Sequence, residues 1–324
     1  MLTVTTVTEP SPTAHRPFRF SLQAAEAGSR AEWVELARRA EDSGFDLLVT
    51  ADHLGGPLAP LVALASAAEA TRSLRVGTMV LNNDFHHPVL LARDVATLDL
   101  LSDGRAEVGL GAGHARPEYD SAGISFDLPG HRVARLEESV QVLRRLLDGE
   151  NVTHHGEHYR LTDARCDPRP VQAHLPLLVG GGGRRVLAIG ARHADAVGFT
   201  GLGRTLEDGQ RHEPTGFPPS RVDAQVAAAR AASGDRWSLL ELQVLVQSVV
   251  VTNDAPGAAE RLRSRLPNLS VEEILTTPYL MVGTVGSLAE RLVEQRQRWG
   301  FSHYTVRTDA LEAVSPVVAA LAGR

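Results

Sequence analysis

The sequence predicts an α/β chain closed into a (β/α)8 TIM barrel, and three observations predict it. Short apolar runs alternate with helical patterns eight times between residue 18 and the C-terminus. Polar and glycine-rich clusters follow the runs on their C-terminal side, where such barrels carry their chemistry. The length of 324 residues, 43% of them hydrophobic, suffices for one such barrel. An open doubly wound sheet is the competing layout, and eight strand-then-helix steps favour closure.

A first strand is expected over 18–23. Ser29 and Glu32 have capping-box spacing ahead of a helix whose Trp33, Leu36, Ala37 and Ala40 share one face, and Gly44 ends it. Strand two, 46–50, precedes an alanine-rich helix at 61–70. Strand three covers 74–81, the next helix 88–101 with Pro88 at its start, and strand four 105–110. Leu136, Val140, Leu143 and Leu147 mark a long helix, and 152–161 reads as a hairpin turning at Gly156 and Glu157. Strands five to eight are expected at 177–179, 196–199, 242–251 and 303–306. Between strand six and its helix lies a Gly- and Pro-rich excursion, 201–220, either a loop of the catalytic face or an insertion without catalytic part. Residues 1–16 read as a disordered tail and 17–324 as a single domain.

The formal charge is −6 and no basic run stands out, so nucleic acid and anionic membrane surfaces are not expected partners; small molecules are. All 33 basic residues are arginine. Schiff-base, pyridoxal phosphate and P-loop lysine chemistry are thereby excluded. The lone Cys166 allows neither an intramolecular disulfide nor a cysteine-built metal site, and no apolar leader or span is visible, which together suggest the cytoplasm.

The residues after the strands are the candidates. Strand two leads into Asp52 and His53, strand three into Asn82, His86 and His87, and strand four into Gly111, Gly113 and His114. Strand five leads into Gly180, Gly181, Gly182 and Gly183, and strand six into Thr200. Four histidines on three loops invite a metal reading. Strand one has no His-x-His and no lysine can be carboxylated, so no metal is expected. The glycines open a helix whose first residues, Arg184 and Arg185, oppose its dipole unless an anion binds there; a plain tight turn is the alternative.

Taken jointly, DLLVTADH at 46–53, the stretch 74–114 ending GLGAGH, GENVTHHGEHYRL at 149–161 and PLLVGGGGRRVLAIGARHADAVGF at 176–199 resemble the luciferase-like monooxygenase superfamily, particularly its coenzyme F420-dependent oxidoreductases. The resemblance implies a deazaflavin or flavin at the carboxyl end of the barrel, its phosphate at the glycine loop. His53 then faces the reactive ring with Asp52 before it, and Glu26 is an acidic residue after strand one. Gly182, Gly183 and Thr200 match phosphate-contacting positions, and Gly181, Arg184, Asn82, Gly111 and Gly113 are further cofactor-binding candidates. A non-proline cis peptide is implied at Met79–Val80. The sugar-phosphate dehydrogenase branch has a glutamate where this chain has His114, and its tryptophan-bearing loop is shortened here to residues 54–57, so glucose 6-phosphate is not the expected substrate.

The activity implied is hydride transfer between reduced F420 and a C=C, C=N or C=O bond, with His53 and either His114 or Glu26 handling protons. A homodimer and a separate reductase system supplying the reduced cofactor are implied partners. The alternatives are an FMN-dependent two-component monooxygenase and a non-catalytic flavin binder.

Overall fold

The computed structural model describes residues 16–24, 26–56, 58–203, 205–206 and 212–324. The expected tail, except Arg16, lies outside them, as does part of the excursion. The barrel strands are β1 (Arg19–Gln23), β2 (Leu47–Thr50), β3 (Arg75–Thr78) with its continuation β4 (Leu81–Asn82), and β5 (Ala106–Gly111). After these come β8 (Leu177–Gly181), β9 (Ala196–Phe199), β10 (Glu241–Leu245) and β13 (Phe301–Arg307). They run parallel in that order, β3 and β4 pair with β5, and β13 returns to β1, so the sheet closes. The helices outside are α1 (Arg30–Asp42), α2 (Pro60–Ala70), α3 (Pro88–Leu101), α4 (Arg116–Ala122), α5 (Pro129–Leu147), α6 (Arg184–His193) and α7 (Pro219–Ser233). The set is completed by α8 (Ala255–Arg263), α9 (Val271–Thr276), α10 (Val285–Trp299) and α11 (Leu311–Leu321).

Alternation along the strands sorts the side chains into two cores. On β1, Phe18, Phe20 and Leu22 point outward and are fully buried under the helices, where Phe20 stacks on Tyr304 of β13 with ring centroids 6.3 Å apart. Arg19, Ser21 and Gln23 face the barrel axis instead. The interior is therefore polar at its amino end.

Ser29 caps α1, its side chain accepting from the Glu32 amide, while the Glu32 carboxylate reaches Gly28 N–H at 2.8 Å rather than the cap residue's own. The expected hairpin is present as β6 (Val152–His155) and β7 (Arg160–Ala164). The peptide Met79–Val80 is cis and interrupts strand three there.

Strand seven differs from the expectation. It stops at Leu245, and β11 (Ser248–Val251) pairs in a separate parallel sheet with β12 (Leu280–Gly283). Gln247 turns the chain out: its backbone N–H bonds Tyr279 O at 2.7 Å, and its side chain is gripped by Arg307 at 2.9 Å. The valine run continues the apolar pattern across a break made by tertiary contacts. The helix α4 was not expected either. No helix of the described residues is long and apolar enough to cross a membrane.

Candidate active site

The carboxyl end of the barrel gathers side chains that are remote in sequence. His53, on the loop after β2, places Nδ1 2.7 Å from Glu118 Oε1 on α4, with side-chain exposures of 38% and 15%. A carboxylate only accepts, so Nδ1 carries the proton and Nε2 is left facing away from it. The His53 ring meets His114, on the loop after β5, edge to face at 5.4 Å, and His114 in turn lies 4.5 Å from the ring of His212. Desolvation pushes the His114 pKa down to about 4, helped by His212, His53 and Arg132. The imidazole is neutral at physiological pH.

Behind this row the backbone is fixed by polar contacts. Asp52 accepts from the Asn82 amide at 3.0 Å and from His86 Nε2 at 2.9 Å. The Tyr119 hydroxyl lies between Asn82 Oδ1 (2.9 Å) and Asp84 Oδ2 (3.1 Å), and Asp84 pairs with Arg135 at 2.8 Å. Gly113 sits at φ +73, and a Cβ there would overlap both the Tyr119 hydroxyl and the Asn82 amide.

Val80, just past the cis bond, explains two more glycines. A Cβ on Gly111 would come within 2.6 Å of its Cγ2, and one on Gly180 within 3.1 Å of its Cγ1. Of the other glycines, Gly181 abuts Val186, and Gly182 leaves no room beneath the Leu202 carbonyl. Gly183 is different. Its φ of −81° suits any residue, a Cβ there would meet nothing within 4 Å, and it caps α6 without a side-chain hydrogen bond. That open cradle of amide donors at a ten-residue helix fits an anionic group of a bound cofactor. Thr200 adjoins it, its Oγ1 about 3.5 Å from the place a Gly182 Cβ would take.

Several expected site residues are placed elsewhere. Arg184 is exposed and has no ion pair among the described residues, whereas Arg185 turns to α5, donating to Gly130 O at 3.2 Å with Glu137 at 3.7 Å. The two arginines therefore do not face the glycines together. Glu26 is exposed, and no hydrogen bond or ion pair joins it to His53 or His114. His87 caps α3 from outside the row, and His86 serves Asp52, so only two of the four converging histidines meet.

Two residues were missed. Glu118 lies on a short helix begun by Arg116 and Pro117; proline followed by an acid is the only helix-start signal there. His212 arrives on the excursion, where Thr205 and His212 form an antiparallel bridge and Gly203 N–H bonds Glu213 O at 2.7 Å. Among the described residues, no group of three or more His, Cys, Asp or Glu is placed to hold a metal ion.

The closed parallel barrel has its polar loops, imidazole row and glycine-led helix all at the carboxyl end, the face at which such barrels carry their chemistry. The profile of the luciferase-like monooxygenase family matches residues 14–303, and the chain belongs to that family. Over 184 residues it is 35% identical to the F420-dependent glucose-6-phosphate dehydrogenase of Amycolatopsis mediterranei, a match covering 54% of this chain and 55% of that one. The chain thus aligns with about half the length of this curated relative. The coenzyme F420-dependent tetrahydromethanopterin reductase of Methanopyrus kandleri superposes with a TM-score of 0.73 over 94% of this chain and 98% of its own, at 17% identity. A long-chain alkane monooxygenase does so at 0.72 over 94% and 91%, at 16% identity. Both share the fold.

Proposed function

We propose that the chain is an F420-dependent oxidoreductase that moves a hydride between reduced F420 and a small organic acceptor. The observation that carries this is the pairing of His53, fixed by Glu118, with an open glycine cradle across the barrel mouth. The 35% identical relative is described as F420-dependent, which favours the deazaflavin over a flavin.

F420, when bound, supplies the hydride; the protein's part is to hold, orient and protonate. The amides of Gly182 and Gly183 would receive the cofactor's phosphate, with Thr200 beside them and Arg184 at the rim. Val80, packed on Gly111 and Gly180, gives the mouth an apolar platform for a ring. His53 Nε2, the nitrogen not bonded to Glu118, would be available to the cofactor ring, and His114, neutral by burial, would hold or accept a proton at the substrate. Glu26, exposed and unattached to the row, takes no part in this scheme.

The family's description and its monooxygenase neighbour favour a second reading, reduced FMN with oxygen. Titration of the purified protein with F420 and separately with FMN, followed by fluorescence and heat, tests the choice. Tight F420 and weak FMN binding is expected; the reverse order overturns the deazaflavin reading. We also propose a cytoplasmic homodimer served by a separate F420-reducing enzyme. Its interface would be α2 and α3, which leave Val62 (74%), Leu90 (52%) and Leu101 (62%) exposed. Light scattering of Val62→Glu should report monomers where the native protein gives dimers.

A further inference from the structure

We propose that the amino half of the barrel holds a second ligand site, a cavity inside the strands that takes a compact neutral molecule with an apolar body and one hydroxyl, a phenol or short alcohol, which donates to Gln243 Oε1. The inference is independent of the F420 reading and concerns the opposite end of the barrel.

The cavity exists because this part of the interior is built from small residues. The register shows which positions face inward: Gly77 pairs with Val49, Gly109 with Leu178 and Gly198 with Gln243. Neighbours in a parallel register share a face, so three glycines and Ala196 stand on the inner face, where such barrels ordinarily carry bulky branched side chains. A void of about 200 Å³ remains, and Leu178, in the middle of its strand, is only partly buried beside it. An apolar cavity of about 150 Å³ is enough for benzene, so a substituted six-membered ring fits. Leu47 and Val49 form the wall toward the carboxyl end, where they pack with Met79 and Leu245, so the cavity is separate from the imidazole row.

What the site recognises follows from which of its polar groups are already engaged. In the belt below, Arg19 bonds Glu107 and Glu241, and His303 gives its Nδ1–H to Glu241. At the rim, Arg16 donates to Leu239 O and Asp195 holds His174 at 2.7 Å. An ionic head inside would find no free counter-charge and would lose its hydration. Gln243 is different. It is 1% exposed, its Nε2 donates to Thr305 Oγ1 at 2.9 Å, and its Oε1 has no hydrogen-bond partner. Gly198 keeps the space beside that oxygen clear, since a Cβ there would stand 3.5 Å from it. A buried amide oxygen without a donor is costly, and an uncharged hydroxyl satisfies it with little desolvation of its own.

The test titrates the full-length protein with phenol, toluene, benzylammonium and benzoate by calorimetry, and soaks a crystal with 4-bromophenol to place the bromine by anomalous scattering. Phenol should bind about threefold to tenfold more tightly than toluene, the effect of one neutral hydrogen bond, and the two ions weakly or not at all. Gln243→Met, close in volume but without the acceptor, should bring phenol to the level of toluene and leave toluene binding intact. Ala196→Val, which narrows the cavity and removes no polar group, should weaken both. The bromine is expected among Leu47, Leu178 and Gln243. Phenol that binds no tighter than toluene or not at all, either ion bound as tightly as phenol, or bromine absent from the cavity overturns the proposal. The bromine position needs no variant, so it decides the matter even if Gln243→Met fails to fold.

Discussion

The two ends of this barrel are built from the same alternation of inward residues and do opposite things with it. At the amino end, Arg19 bridges Glu107 (2.6 Å) and Glu241 (3.0 Å), Arg75 joins Glu107, and His303 lies between Glu241 (3.0 Å) and the Ser21 hydroxyl. The charges pair off across five strands. Burial opposes the charge on Arg19, yet Glu107 and then Glu241 raise its pKa. Burial likewise works against the Glu241 carboxylate, but His303 and Arg19 bring it down to about 2. A cavity of about 200 Å³ adjoins this belt, and Arg19, Glu107, Glu241 and His303 among its lining groups already hold one another. At the carboxyl end, by contrast, Gly183 opens α6 with no side-chain cap and with nothing within 4 Å of where a Cβ would stand. An end whose charges satisfy one another supplies stability, and the end proposed to bind the cofactor is the one that leaves a helix start uncapped.

The sharpest way to break that contrast is to remove one group from each end. His53→Ala should lose at least about a hundredfold in turnover, the lower bound for a positioned proton-handling group, while the protein remains folded. Its melting curve should superpose on the native one, since His53 is 38% exposed. Turnover equal to the native enzyme would take His53 out of the mechanism.

Arg19→Ala is the counterpart. It takes one of two partners from each of Glu107 and Glu241, whose side chains are only 14% and 12% exposed, leaving them Arg75 and His303, and should cost roughly 1 to 3 kcal/mol in urea unfolding, the scale of a lost buried charged hydrogen bond. F420 affinity of the folded fraction should not change. A variant that is stable but loses the cofactor would erase the division between the ends.

The same division explains what was legible in the sequence. Strand positions follow from apolar runs bounded by turn residues, and 88–101 and 196–199 were placed to the residue because Pro88 and the flanking polar residues punctuate them. His53 and His114 could be picked out because each directly follows a barrel strand, where topology alone assigns the face. Glu118 and His212 could not. One depends on a seven-residue helix too short for periodicity, the other on a bridge between Thr205 and His212 that local composition does not encode. Arg185 shows the converse error: its position at the glycine helix suggested an anion, but Glu137 on a neighbouring helix claims it. Charges are placed by tertiary neighbours, and a linear pattern names only candidates.

Gly183 sharpens the comparison further, because its role can be separated from folding. Gly183→Ala meets no atom within 4 Å and keeps an ordinary φ, so stability should change by less than about 1 kcal/mol, the scale of an N-cap exchange. Affinity for F420 should fall about tenfold if a phosphate approaches that backbone, the equivalent of one hydrogen bond. Gly182→Ala is the control. Its Cβ would overlap the Leu202 carbonyl, so it should disturb folding and binding together.

Acid should unmake the two ends in sequence, and this is the smallest effect expected. His114 titrates near 6.5 when unfolded and near 4 when folded, so the unfolded chain binds the extra proton first. Stability should fall as pH drops from 6.5 to 4, by about 1 kcal/mol, a fraction of the full linkage because the ring is partly solvated. Glu241 behaves differently. Its depressed pKa adds stability that is complete above about 4.5 and is lost only as pH falls toward 2. Thermal unfolding of the native protein and His114→Gln across pH 7 to 3 reads both steps. The variant should lose the slope above pH 4 and keep the one below 4.5; a native slope retained above pH 4 would place the neutral imidazole's cost elsewhere than in the row.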